Sequence, residues 1–165
     1  MSSASRTSKA IHYSLAGAAS LDRIAPLWRR LTRHHAGIST YFSGQFRELR
    51  WPDRRADLAE KAARGSLRIA LARMGAEGPV IGYCVGVIDR KRNGDIESLF
   101  VIDAWRGRGV GTELVGRIVA WMDKRKAVSK SVSIAVGNEP AYAFYRRWKF
   151  YPRTAVLVQK ERRTP

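Results

Sequence analysis

The stretch of sequence that decides the fold covers residues 95–126 and reads DIESLFVIDAWRGRGVGTELVGRIVAWMDKRK. Residues 96–102 form a short apolar run rich in strand-favouring residues, which predicts a strand with one acid near its start. After a turn rich in glycine, apolar residues recur at every fourth position, at Leu114, Ile118 and Met122. This spacing is typical of an amphipathic helix. The stretch therefore predicts a strand, a glycine-rich turn and a helix in direct succession.

The glycine-rich turn predicts an anion-binding site, because unpaired backbone N–H groups at a helix start point one way at the positive end of the helix dipole. The turn has no Gly-Lys-Ser/Thr ending, so it lacks the lysine and the hydroxyl of a nucleoside-triphosphate loop. The dinucleotide fingerprint also fails, since Gly111 follows Gly109 by two residues instead of three. What remains is Arg-x-x-Gly-x-Gly, which begins at Arg106.

A second motif begins where the next predicted strand ends. Residues 131–136 alternate as a strand. A helix crosses between this strand and the one that contains Glu97, so the two strands should lie parallel. Asn138-Glu139-Pro140 then opens a helix. Its apolar residues recur at helical spacing, at Ala141, Phe144, Tyr145 and Trp148.

Together the two motifs resemble those of the GNAT superfamily of acetyl-coenzyme A dependent N-acetyltransferases. The Arg-x-x-Gly-x-Gly turn resembles the family's pyrophosphate loop, and the second motif matches Asn-x-x-Ala-x-x-Phe-Tyr followed by Phe150. Asp103 stands where the family usually has proline, and Lys149 where it usually has glycine. For the turn alone, a purely structural connection is the alternative. The two motifs in this order extend the resemblance over residues 67–158.

The resemblance implies an α+β fold. The family's central sheet is mostly antiparallel, has about six to seven strands and is flanked by helices. Two parallel strands splay apart near Val101 and Val136, and the pantetheine arm of the cofactor enters the gap. We expect one such domain over residues 11–160, between a disordered tail at 1–10 and a frayed end at 161–165.

The rest of the chain predicts the other elements of that fold. Residues 11–15 alternate as a first strand, and Pro26 marks either a kink or the true start of the first helix. Residues 38–64 read as two helical pieces broken near Trp51-Pro52. Gly65 ends the second piece.

Further strands follow this helical region. They cover residues 67–71, 80–88 and, at the end of the chain, 153–158. Asn93-Gly94 predicts a tight turn, because both central residues of such a turn must accept positive φ. The strand that ends near Ile88 should therefore pair antiparallel with the one that begins near Asp95.

The resemblance also implies where acetyl-CoA, the expected cosubstrate, binds. The candidate residues lie on the first strand, in the turn and at the second motif: Leu99, Phe100, Val101, Arg106, Gly107, Arg108, Gly109, Val110, Gly111, Thr112 and Asn138. Backbone groups of the strand would pair with the cofactor, and the turn would hold its pyrophosphate. For Asn138, capping its own helix is an equally good explanation. We expect no metal, since His34-His35 lacks a further ligand at zinc-site spacing.

Two residues are candidates for catalysis. Acetyl transfer to a protonated amine needs a base, and Glu97 is the candidate because strict alternation places it on the same face as Leu99 and Val101. The alternative is an ion pair with one of the many arginines. Tyr145 matches the family's general acid, and a tyrosine hydroxyl can donate at neutral pH. Its alternative is a core aromatic side chain.

The charge composition indicates which classes of partner the protein is expected to bind. The 165 residues include 31 Lys and Arg against 14 Asp and Glu, a formal net charge of +17, which favours anionic partners. We therefore expect an amine acceptor that carries an anionic group, and polycationic amines as poor substrates. The basic residues are scattered and no nucleic-acid motif is present, so a nucleic-acid-associated protein is a weaker alternative. A catalytically inactive acyl-CoA-binding module is another.

The sequence also bears on compartment and assembly. No apolar run approaches membrane-spanning length, and the N-terminus lacks the apolar region of a signal peptide. We therefore expect a cytoplasmic protein with no membrane partner. The single cysteine, Cys84, excludes an internal disulfide and suits a buried thiol. A homodimer is a further expectation, because dimers are common in the family.

Overall fold

The computed structural model describes residues 10–160. The elements in chain order are β1 (Ile11–Ala16), a 3₁₀ helix (Ala18–Ile24), α1 (Ala25–Ile38), α2 (Ser43–Glu48), α3 (Trp51–Arg64), β2 (Ser66–Met74), β3 (Val80–Ile88), β4 (Asn93–Val101), a 3₁₀ turn (Asp103–Trp105), α4 (Val110–Lys124), β5 (Ser129–Val132), α5 (Glu139–Tyr145) and a 3₁₀ turn (Arg146–Trp148). The expected tail, apart from Ala10, and the expected end at 161–165 lie outside the described residues.

The five strands form one mixed sheet in sequence order, from β1 to β5. Neighbouring strands are antiparallel except β4 and β5, which are parallel. This confirms the α+β class and the parallel pair expected on either side of α4. Among the helices between residues 10 and 160, none combines the length and apolarity that crossing a bilayer requires.

Helices cover both faces of the sheet. On one face, α1 and α3 pack against it, and the Trp28 and Trp51 rings lie 5.5 Å apart between them. On the other face, α4 buries Leu114, Ile118 and Met122 completely, and each such side chain contributes about 2 kcal/mol of hydrophobic stabilisation. The sheet has a glycine where α4 approaches it: a Cβ on Gly86 would lie 2.4 Å from Ile118 Cγ2.

Helix boundaries follow the local signals. Pro26 lies in the first turn of α1, so it marks the true start of that helix. The break near Trp51-Pro52 is confirmed, because α3 begins at Trp51. Gly65 is the C-cap of α3, as its position predicted.

The predicted turn at Asn93-Gly94 is wrong. Both residues lie in β4. The turn is formed by residues 89–92 instead, where Arg92 N–H donates to Asp89 O at 2.9 Å and Arg92 takes φ 66°. The Asp89 carboxylate accepts hydrogen bonds from the backbone and side-chain nitrogens of Asn93 at 2.8 and 3.0 Å. This side-chain bonding fixes an Asp-started turn in place of the two-residue turn that Asn-Gly favours.

The strand predicted at residues 153–158 is also wrong. Residues 151–160 have no regular structure, and Leu157 is 95% exposed. Within residues 10–160 the sheet accordingly has five strands, where six to seven were expected. Alternation shows that a segment could form a strand, but a strand exists only when another strand pairs with its backbone.

Candidate active site

A cleft of about 530 Å³ opens where β4 and β5 part. Residues Asn93–Ile96 of β4 pair with Ser129–Val132, which is the whole of β5. Beyond this pairing, β4 continues to Val101. Within the described chain, the edge of β4 beyond Ile96 therefore faces the cleft and no other strand. The expected splaying of the two parallel strands is present, and it leaves backbone groups free to pair with an extended ligand.

The cleft gathers almost all of the residues predicted for the site. They are Glu97, Leu99, Phe100, Val101, Arg106, Gly107, Gly109, Gly111, Thr112, Asn138 and Tyr145. Two of the predicted residues do not line it. The side chain of Val110 is buried in the core, and the Arg108 guanidinium lies over the Trp105 ring at 5.1 Å.

The glycine-rich turn forms an open cradle at the start of α4. Gly107 and Gly109 take left-handed φ values of 70° and 79°, and a Cβ built on either would meet no atom within 4 Å. The helix begins at Val110, so its first backbone N–H groups have no partner within the helix. Free N–H groups, the helix dipole and open space together fit a pyrophosphate.

Arg106 ties the turn to the end of β4. Its Nε donates to Val101 O at 2.9 Å, and its Nη2 lies 3.2 Å from Asp103 Oδ1. The guanidinium also lies over the Phe100 ring at 5.2 Å. Asp103, at the position where the family usually has proline, thus helps to hold Arg106. Because Val101 O already accepts this hydrogen bond, the free edge of β4 ends before it.

A β-bulge changes the direction of Glu97. Val85 pairs with Ser98 and Gly86 pairs with Ile96, so Glu97 is an extra residue in β4. Ile96 therefore packs with Leu99 and Val101 on the α4 side of the sheet, and Glu97 reaches α3 instead. The prediction that Glu97 shares the face of Leu99 and Val101 is wrong, because strict alternation holds only in a strand without a bulge.

Both oxygens of Glu97 hold cations. Oε2 accepts from Arg54 Nη2 and Oε1 from Lys61 Nζ, each at 2.8 Å, and the side chain is only 6% exposed. Asp57 contacts the same two cations, at 2.8 and 3.3 Å. The alternative stated for Glu97, an ion pair, is therefore what the structure shows. The pair anchors α3 to the strand that lines the cleft.

A second cavity of about 420 Å³ adjoins the cleft. The two share a wall that includes Leu31, Ser98 and Ser133. Asp95, which the sequence analysis did not single out, lines this cavity, and its Oδ1 accepts from Ser131 Oγ at 3.1 Å. Burial, and then the negative charge of Glu97, raise the pKa of Asp95 from 3.8 to about 6. The only feature of the sequence that could have indicated Asp95 is that it is an acid two residues before Glu97.

Tyr145 is a buried member of the cleft wall. It is 5% exposed, and its ring contacts Phe144 and Phe150 at centroid distances of 5.0 and 5.8 Å. Burial, and then Cys84 and Asp95, raise the pKa of the Tyr145 hydroxyl. The hydroxyl therefore keeps its proton across the neutral pH range and is available as a hydrogen-bond donor.

Two further residues complete the cleft. Asn138 makes no side-chain hydrogen bond as the N-cap of α5, so the capping explanation is not seen. Arg147, interpreted from the sequence as one of many surface cations, lines the cleft and donates from Nη1 to Thr112 Oγ1. It places a positive charge beside the glycine-rich turn. Its contact with α4 could not be inferred from its neighbours in sequence.

The sequence and structure match known acetyltransferases. The model of the acetyltransferase (GNAT) family matches residues 28–150. An uncharacterised N-acetyltransferase of Methanocaldococcus jannaschii is 30% identical over 69 residues, which are 42% of this chain and 30% of that protein. The match thus spans less than a third of the curated relative.

Solved structures share the fold over nearly their whole length. An aminoglycoside N-acetyltransferase, bound to a bisubstrate analogue of coenzyme A and monomethyl-acetylneamine, has a TM-score of 0.63 and 17% identity, with coverage of 93% of this chain and 99% of that one. A Trypanosoma brucei acetyltransferase has a TM-score of 0.64 and 15% identity, with coverage of 91% and 99%. At such identities the likeness establishes the fold alone.

Proposed function

The chain belongs to the acetyltransferase (GNAT) family, and on that premise we propose that it transfers the acetyl group of acetyl-CoA to a primary amine. The observation that carries the proposal is the parting of β4 and β5 beside an open glycine cradle. The gap suits an extended pantetheine arm, and the cradle suits a pyrophosphate. Acetyl-CoA supplies the activated acetyl thioester when it is bound.

Different residues of the cleft would bind different parts of the cofactor. The free edge at Leu99 and Phe100 would pair with the pantetheine amides, and the N–H groups at the start of α4 would hold the pyrophosphate. Arg106 positions the turn through Val101 O. Arg147, beside Thr112, adds a cation for the phosphates. Asn138 borders the same cleft and is proposed as a further contact.

Tyr145 is proposed to stabilise the departing thiolate. A thiol has an ordinary pKa of about 8.5, whereas the pKa of Tyr145 is raised above the tyrosine value of 10.0. A complete proton transfer from tyrosine to thiolate would therefore be unfavourable. Tyr145 is better suited to donate a hydrogen bond than to act as the full proton donor that its motif position indicated. Solvent then supplies the final proton.

The proposal that Glu97 is the base is weaker than the sequence indicated. Its carboxylate already accepts charge-assisted hydrogen bonds on both oxygens, and such bonds are strong. Direct action as base would weaken its ion pairs with Arg54 and Lys61, because protonation removes the negative charge that holds them. We therefore propose that Glu97 chiefly positions α3 against β4, with direct base catalysis as the alternative that its Gln variant tests.

The acceptor is proposed to be cationic, contrary to the expectation from net charge. The charged residues that line the second cavity are four acids, Glu48, Asp53, Asp95 and Glu97, and two arginines, Arg50 and Arg54. Of the nearby cations, Arg54 and Lys61 are engaged by Glu97 and Asp57, and burial lowers the pKa of His35, which keeps it neutral. Three acids, Glu48, Asp53 and Asp95, then remain against one cation, Arg50, so the local field is negative in a chain of net charge +17. Nearby charges outweigh distant, screened ones.

An acceptor panel tests the function and the charge together. Cadaverine, pentylamine and 6-aminohexanoate present the same amine with a distal cation, methyl group or carboxylate. Release of free thiol from acetyl-CoA should be fastest with cadaverine, by about tenfold in kcat/KM over 6-aminohexanoate, and added salt should narrow the gap.

Variants localise the charge effect. Asp53→Asn should reduce the preference for cadaverine, while Glu60→Gln, an exposed acid of α3 paired with Arg64, should leave it unchanged. A best rate with 6-aminohexanoate would contradict the cationic acceptor. Binding of acetyl-CoA with no transfer to any amine would instead favour the inactive binding module.

A further inference from the structure

The geometry points to Asp95 as the catalytic residue that takes the proton from the acceptor ammonium, in the cavity beside the cofactor cleft. The inference rests on the proposed amine acetyltransfer and assigns one step of it. Asp95 lies near the start of β4 and faces the α1 and α3 side of the sheet, opposite Val87 of β3. It lines the second cavity, which shares its wall with the cleft.

The two carboxylates of β4 differ in what their oxygens are free to do. Glu97 uses both oxygens to hold Arg54 and Lys61. Asp95 uses only Oδ1, as acceptor from Ser131 Oγ, which leaves Oδ2 without a hydrogen-bond partner within the described part of the chain. A proton acceptor needs a lone pair that is open to its substrate. Of the two, only Asp95 has an oxygen with no hydrogen-bond partner among residues 10–160, so it is the better placed to accept a proton from a substrate.

The surroundings of Asp95 also make it a better proton acceptor. Burial and the charge of Glu97 act against its ionised form, while Ser131, Lys61 and Arg54 act for it. His35 of α1, Glu48 of α2, Asp53 of α3 and Arg50, which directly precedes α3, also line the cavity. The net result is a pKa of about 6 in place of 3.8. Proton transfer to this carboxylate is then about 100-fold more favourable at equilibrium than transfer to an ordinary aspartate.

The proposed step balances in protons and bonds. An ammonium acceptor gives one proton to Asp95 Oδ2, and its nitrogen gains a free lone pair. The nitrogen then forms a bond to the acetyl carbon while the carbon–sulfur bond breaks, and the electron pair of that bond leaves on sulfur as thiolate. The new amide nitrogen loses its second proton, the thiolate becomes a thiol, and Asp95 returns its proton to solvent. The net products are the acetylated amine, coenzyme A and one proton.

The test is the pH dependence of kcat/KM for cadaverine in Asp95→Asn. In the native protein, kcat/KM should rise tenfold per pH unit below about pH 6, where Asp95 is mostly protonated, and should level off above it. In the variant it should fall by roughly 100-fold at pH 7. It should then keep rising with pH toward the pKa of the amine, because only amine that is already deprotonated can react. Affinity for acetyl-CoA, measured by calorimetry, should be unchanged.

Two comparison variants make the test specific. Asp123→Asn removes an exposed carboxylate of α4 that pairs with Lys130, and its profile should match the native one. Glu97→Gln should keep an acidic limb, moved below pH 6 because the charge of Glu97 helps to raise the pKa of Asp95, whereas a base at Glu97 would lose the limb altogether. An Asp95→Asn profile identical to the native profile would overturn the assignment and leave acetyl transfer intact.

A direct measurement covers the case in which cadaverine is not turned over. The ¹³C carboxyl signal of Asp95, identified by its loss in Asp95→Asn, should titrate near pH 6 and shift when cadaverine is added to the protein with bound coenzyme A. A signal that titrates near 4, or that cadaverine leaves unmoved at millimolar concentration, would overturn the inference. Failure of acetyl-CoA to bind at all would instead refute the proposed function.

Discussion

Replacing Asp95 by Asn should stabilise the protein at neutral pH while it slows the reaction. The folded-state pKa of Asp95 is raised from 3.8 to about 6, so ionisation of this group works against the folded state. The protonated carboxyl favours the folded state. This contribution to stability is fully present below pH 4 and is lost as the pH rises through about 6. Asn has nearly the same shape and never ionises. It can also still accept the hydrogen bond from Ser131 Oγ.

The size of this effect follows from the pKa difference. A change of roughly two pKa units corresponds to about 3 kcal/mol, which is an upper limit because Asp95 is only partly buried and solvent screens its charge. We expect about 1 kcal/mol at pH 7, or a rise in Tm of about 2–4 °C for a chain of this length. Thermal unfolding at pH 4 and at pH 7 to 8 measures it. The variant and the native protein should coincide at pH 4 and separate above pH 6.

Glu97→Gln is the opposing comparison, since it changes an acid two residues away on the same strand. Glu97 is nearly buried and holds Arg54 and Lys61 at 2.8 Å. Loss of its charge leaves Asp57 as the carboxylate that both cations still contact. We expect destabilisation of about 2–3 kcal/mol at pH 7. If Asp95→Asn lowered Tm at pH 7, or raised it equally at pH 4, the desolvated environment inferred for Asp95 would be refuted.

Three further predictions concern the cradle, the tyrosine and the departure at Lys149. Gly109→Val should abolish the thermal stabilisation by acetyl-CoA and cost about 1–2 kcal/mol, because Gly109 has φ 79°, whereas Gly116→Ala, in α4 with open space at its Cβ, should keep cofactor binding. Undiminished acetyl-CoA affinity in Gly109→Val would rule out the turn as the pyrophosphate site. Tyr145→Phe keeps the aromatic packing and removes one donor, so kcat should fall by about 10–100-fold with unchanged acetyl-CoA affinity; full activity would assign Tyr145 to the core alone. Lys149→Gly should raise the free energy of unfolding by about 1 kcal/mol, because Lys149 has φ 60°, and an unchanged Tm would mean that its side-chain contacts offset the strain.

Local patterns in the sequence predicted much of the fold. The glycine-rich turn, the amphipathic α4 and the two motifs were readable because a helix or a turn is specified by residues close together in the chain. The same patterns placed most of the cleft residues together, since β4, the turn and α4 are consecutive. They also predicted the parallel pair, because a helical crossover between two strands allows little else.

Other features depended on residues far apart in sequence. The bulge in β4 exists only in its pairing with β3, and it turned Glu97 away from the face that alternation predicted. The chain at residues 153–158 alternates like a strand but has no strand beside it. At Asn93-Gly94, the side chain of Asp89 shifted the turn. In each case a contact outweighed the local preference, as tertiary context commonly does.

The chemistry divides in the same way. The sequence by itself determined the glycine cradle, the aromatic face with Tyr145 and the presence of two acids near the start of β4. Only the tertiary structure decided which acid is free, because the cations that hold Glu97 come from α3, and the burial that raises the pKa of Asp95 comes from the elements packed around the cavity. Net charge sums over the whole chain, whereas the charge that an acceptor meets is set by the few groups within a Debye length of it.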